Sequence, residues 1–204
     1  MQTQTHFLIT AALGQLGRRR VALPVHTPAL LVGSVLPDVP FALLTLLYTA
    51  YYRWIAPPGQ GADVHELLHF RLFYTDPVWI IGHNTLHSLV ITGLLALTGA
   101  LAGRRGRRWG YVLFWFAIGA GFHTVIDIAT HHSDGPLFLF PLSWSYRFAS
   151  PFSYWEPAYA AGTVRGIEYA LSALSLLYLV VGWISRRRQD RDRLPAHNDR
   201  HDSV

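Results

Sequence analysis

Apolar positions gather into four long stretches, Pro28 to Tyr52, Pro77 to Ala102, Trp109 to His131 and Thr163 to Ser185. Each is long enough for the roughly 20 mostly apolar residues that a membrane-crossing helix needs. A shorter run, Gln4 to Gly17, is too brief to cross comfortably and predicts a half-helix tucked against the bundle. The first long stretch carries Leu36-Pro37-Asp38-Val39-Pro40. Two prolines there remove backbone donors and should break or kink the helix, and broken helices persist at membrane depth where they line a cavity. The pattern predicts an all-α, polytopic membrane bundle of four spanning helices plus a short N-terminal half-helix. Residues 1–185 form one membrane-embedded domain, and 186–204 read as a disordered, Arg-rich cytoplasmic tail.

Composition agrees. Of 204 residues 51% are apolar and 14% charged, where soluble domains carry about a quarter charged residues. The formal charge of +5 would suit nucleic acid, but its placement does not. The arginines sit in blocks at helix ends: Arg18 to Arg20, Arg104 to Arg108 and Arg186 to Arg193. With the first block cytoplasmic, successive crossings put the other two on the same side, as the positive-inside pattern requires. Residues 54–76 and 132–162, rich in aromatics, then fall outside. The expected location is a bacterial inner membrane with a cytoplasmic C-terminus, lipid as partner and no nucleic acid. The chain has no cysteine, so disulfides, thiolate catalysis and Cys-ligated zinc are excluded.

Ionisable groups within a membrane are costly and by default functional. His83 and His87 lie four apart, as do His123 and Asp127, so each pair shares a helix face. Asp38 sits at the proline break and His6 on the short first segment. At a rise of about 1.5 Å per residue, all six come to the middle and outer half of the bilayer. Imidazoles and carboxylates without sulfur suit zinc, and also manganese or iron. Six such residues exceed what one tetrahedral ion needs, whereas two ions bridged by a carboxylate would use them all. The expected metal set is His6, Asp38, His83, His87, His123 and Asp127, with Asp38, His87 and His123 at the centre of catalysis by metal-activated water. A phosphoester, lipid-borne or not, is the expected substrate, and the site opens toward the outer side.

At these residues the chain resembles the bacterial LexA-binding, inner-membrane-associated metal-dependent hydrolases, themselves similar to zinc-dependent phospholipase C. The matching pieces, in order, are Thr5-His6, Gly33-Ser34-Val35-Leu36-Pro37-Asp38, His83-Asn84-Thr85-Leu86-His87-Ser88-Leu89 and His123-Thr124-Val125-Ile126-Asp127. The resemblance implies a helical membrane fold and a metal-hydrolase site built from those same six residues. It departs at Asn84, where many members carry Arg.

Two other readings stand beside the hydrolase. Intramembrane His and Asp also build metal or proton transport paths. His65-Glu66-Leu67-Leu68-His69 matches H-E-x-x-H, the zinc-protease helix with Glu as base. That motif falls in the outer segment from Gly61 to Thr75, where it reads as a short amphipathic surface helix, and only Glu156 or Asp134 would offer a third ligand. His131, His132 and Asp134 read as a helix end that could border the pocket. Arg147 and Arg165 lie on the same outer side and could hold a phosphate, and Phe138 to Tyr154 reads as an interfacial aromatic belt.

Overall fold

The computed structural model describes residues 1–18, 25–59 and 62–192. Among them every regular element is helical, and no strand occurs. Arg19, Arg20, Gly61 and the tail beyond Asp192 lie outside the described residues.

The short first run forms α1, Thr3–Gly17. The proline-bearing stretch becomes two helices, α2 (Thr27–Val35) and α3 (Asp38–Trp54), bent by 41° at the break. His26 caps α2, its ring nitrogen accepting from the Ala29 amide at 3.3 Å, and Pro28 occupies the first turn, where its missing N–H costs nothing.

The next stretch departs from expectation. The stretch from Pro77 to Ala102 is not one continuous helix but two, α6 (Pro77–Asn84) and α7 (Leu89–Arg104), bent by 44° and together apolar enough for one broken span. Ser88 caps α7 by accepting from the Ile91 amide at 3.1 Å. The groups freed at this break are met by the non-helical segment that follows α8. The Leu89 amide donates to the Phe138 carbonyl at 2.8 Å, and the Leu137 amide donates to Asn84 Oδ1 at 2.7 Å. Ser88 Oγ also donates to the Phe140 carbonyl. Irregular backbone inside a membrane protein persists only where such partners exist. Asn84, the departure from the resembled family, therefore has a structural task here and is fully buried.

Among the described residues two helices are long and apolar enough to cross a membrane alone: α8 (Arg108–Thr130), and residues Ala161–Gln189 of α9 (Ala161–Asp192). Counting each bent pair as one span gives four. Helix α9 runs past the expected boundary at 186 and continues to Asp192, and the rest of the expected tail lies outside the described residues. Between α3 and α6 the segment Val64–Thr75 is helical throughout: α4 (Val64–Glu66), a π turn (Leu67–Leu72) and α5 (Phe73–Thr75). It packs through Leu68 and Phe73 onto the buried Trp79.

Helix α8 is the axis of the bundle, with α2 and α7 against it and α1 joining α2 to α9. Glycines set those crossings. A Cβ at Gly33 would overlap the Phe116 carbonyl oxygen, and one at Gly119 would overlap that of Leu30. Close approach of backbones through small residues is the usual packing device where lipid removes the hydrophobic drive. It brings Ser34 of α2 beside His123 of α8.

Candidate metal centre

Four side chains from three parts of the bundle converge: Asp38 at the start of α3, His87 in the α6–α7 break, and His123 and Asp127 on α8. One ligand atom from each lies within 4.8 Å of all the others. His87 Nε2 and His123 Nε2 face each other at 3.0 Å. Asp38 Oδ1 lies 3.2 Å from His123 Nε2 and 3.5 Å from His87 Nε2. Asp127 Oδ2 lies 3.0 and 3.4 Å from the same two nitrogens. Both imidazoles are buried, and Asp38 is the most open of the four at 25% side-chain exposure.

The outer ring nitrogens fix the inner ones. His87 Nδ1 lies 2.7 Å from the His83 carbonyl, and His123 Nδ1 lies 2.8 Å from the Ser34 carbonyl. A carbonyl only accepts, so each Nδ1 carries its hydrogen and each Nε2 turns a lone pair inward. Metal-ligating histidines are held this way. Both carbonyls belong to the last turn of a half-helix, α2 or α6, where they lack intrahelical donors. The negative ends of two helices thus point toward the cluster, which favours a cation there. Two inward lone pairs and two carboxylate oxygens at these distances require a proton or a cation among them. The donor set, two nitrogens and two oxygens without sulfur, fits a divalent ion of the zinc type.

His6 and His83 stand one step out. His6 is fully buried, its Nε2 2.9 Å from Asp127 Oδ1 and its ring stacked on His123 at 3.8 Å. His83 tilts against His87 with centroids 4.4 Å apart, and its Nδ1 has no hydrogen-bond partner among the described residues. Asp127 Oδ1 also meets the Met1 amino group at 3.0 Å and His131 Nε2 at 3.6 Å. The structure thus gathers all six expected residues around one point and sets four of them nearest to it.

Sequence reasoning missed Thr3 and Ser34. Thr3 Oγ1 donates to Asp38 Oδ2 at 2.5 Å; its spacing of three from His6 put it on the same face and was the available signal. The Ser34 role lies in a backbone carbonyl, which no side-chain pattern announces.

A cavity of about 580 Å³ adjoins the cluster, with Asp38, Asp127, His83 and His131 at one end and Phe41, Phe73, Tyr154 and Trp155 along its walls. Burial, together with the nearby Asp134 and Asp127 charges, pushes the Tyr154 phenol up to about 12, so it stays protonated. Asp134 is engaged by His131 and by the Trp155 indole, each at 3.0 Å. Glu156 Oε1 accepts from Ser133 at 3.1 Å. Among the described residues neither acid reaches His65 or His69 to complete a protease-type set. Arg147 lies over the Phe73 and Tyr74 rings, 4.9 and 5.2 Å from their centroids, and donates to the Gly135 carbonyl, while Arg165 is exposed on α9.

Comparison with known proteins adds one result. A family model described as YdjM inner membrane protein matches residues 1–189. No curated protein and no solved structure matches the chain.

Proposed function

The chain belongs to the YdjM inner membrane protein family, and from that premise we propose that it is a membrane-embedded, metal-dependent hydrolase of phosphoesters, those carried on lipids in particular. The observation that carries the reading is the pair of histidines whose Nδ1 atoms are committed to half-helix carbonyls while their Nε2 atoms meet two carboxylates. A structural hydrogen-bond network has no need to aim four lone-pair donors at one point.

Asp38, His87, His123 and Asp127 would hold the ion, zinc by donor type. Bound there, it supplies Lewis acidity toward a phosphoryl oxygen and toward water. Thr3 and His6 orient the carboxylates through their outer oxygens. Asp38, the most open of the four and on the cavity wall, is the residue nearest an incoming substrate. The aromatic wall of Phe41 and Phe73 excludes water and suits the first methylenes of an acyl chain. A cavity of about 580 Å³ takes a headgroup but not two full chains, which would stay in the bilayer. Asp127 offers its second oxygen to His6 and His131, so metal stoichiometry decides between one ion and two.

The test is elemental analysis of the purified full chain beside hydrolysis of an activated phosphodiester. Stoichiometric metal, lost together with activity in His87→Ala, is expected. Protein without stoichiometric metal, or a His87→Ala variant with unchanged metal content, overturns the reading. Ion flux in proteoliposomes without hydrolysis would replace it with a carrier.

A further inference from the structure

The buried cluster makes no use of His65 and His69. Their rings nevertheless sit with centroids 4.4 Å apart, tilted by 43°. His65 is exposed and His69 half-buried. Among the described residues neither imidazole hydrogen-bonds to another protein group, and the His65 backbone amide donates to Asp63 Oδ1 at 2.9 Å. Their ring neighbours are aromatic: Phe41 at 5.5 Å and Trp79 at 6.4 Å from His69, and Phe70 at 6.2 Å from His65. Two adjacent imidazoles are thus held in place by apolar contacts with their nitrogens uncommitted.

Position gives the pair a use. Both rings line the cavity that Asp38 and Asp127 border, and both line a second cavity of about 370 Å³ beside it. They border both spaces, and the first of these reaches Asp38 and Asp127 of the buried cluster. Asp134 and Glu156 are engaged elsewhere, so the protein contributes two ligands and water must supply the rest. Such a site binds weakly and exchanges readily, which suits capture better than catalysis. Imidazole donors select zinc, copper, nickel or cobalt over magnesium and calcium.

We propose that His65 and His69 form an auxiliary two-imidazole site that captures a divalent transition-metal ion and passes it through the shared cavity to the buried cluster. The passage rests on the metal-dependent reading above; the capture does not.

Chelator-stripped full chain in detergent, probed with Co(II) alone, tests both halves. In the His87→Ala/His123→Ala variant one exchangeable ion should remain, and adding His65→Ala should weaken it at least about tenfold. Unchanged affinity overturns the capture site. His65 is exposed, so its removal spares the fold; His69→Gln serves as the second variant. Should the double variant not fold, wild-type chain pre-loaded with zinc and titrated with Co(II) gives the same reading. With the buried cluster intact, His65→Ala should slow Co(II) loading about tenfold while leaving the final stoichiometry of the buried site unchanged; equal rates overturn the passage. If wild-type chain never loads the buried cluster, the hydrolase reading and the passage fail together, while the first titration still decides the capture.

Discussion

The Nδ1 atoms of the two central imidazoles are held by backbone carbonyls, and this makes the outer contacts of the carboxylates the adjustable part of the site. Asp38 is steadied by Thr3. Thr3→Val should therefore weaken metal binding about 10–100-fold, the usual cost of removing a supporting hydrogen bond, as read by competition with a coloured chelator. Asp134 offers a separate test outside the spans. Burial opposes its charge, but the hydrogen bonds from His131 and Trp155 prevail and hold the carboxyl below the ordinary value of 3.8. The sign follows: a depressed folded-state value gives stability that is present above the unfolded value and is lost as pH falls through the folded one. Asp134→Asn should lower the melting temperature at pH 7, with the deficit shrinking as pH is taken below about 4. A deficit that is constant with pH would show that the charge is not what matters. At this scale the rare ionisable residues were legible because burying them in lipid is costly. The Ser34 carbonyl was not, since every residue has one.

Helix breaks and glycine crossings do the positioning. The α2–α3 break was legible from Pro37 and Pro40, whose chemistry is local. The α6–α7 break has no proline and depends on residues 137–140, distant in sequence, to satisfy its backbone. Asn84→Ala should leave the buried Leu137 amide unpaired and cost about 1–3 kcal/mol, measured as reduced resistance to denaturant, with His87 displaced and metal lost in parallel. Gly33→Ala should separate α2 from α8, because the added carbon meets a backbone carbonyl that cannot yield. About 1–3 kcal/mol is the common cost of such overpacking. Gly103→Ala is the control: its added carbon finds the nearest atom at an ordinary 3.7 Å, and the melting temperature should not move.

Across the whole molecule the exposed apolar faces of α3 and α9, including Leu46, Leu47, Leu174 and Leu177, are what a lipid-surrounded bundle presents. The arginine blocks predict which end faces the cytoplasm, and a chain without cysteine makes the orientation simple to read. In intact cells an impermeant maleimide should label Ser145→Cys, while Arg105→Cys should react only after lysis. The reverse pattern would invert the topology and place the cavity on the cytoplasmic side.

By itself the sequence determined that the chain is helical, roughly which stretches can cross a membrane and which rare ionisable residues are candidates for a site. Those properties follow from local hydrophobic length, proline chemistry and the cost of burying charge, all of which can be read from neighbouring residues. Only the tertiary structure decided that Asp38, His87, His123 and Asp127 sit nearest the common point, that the second span is broken, and that His65 and His69 share a cavity with the cluster. These depend on how closely α2 and α7 approach α8 and on which distant segment fills the break. Such distances arise from packing between elements, and no pattern within one element encodes them.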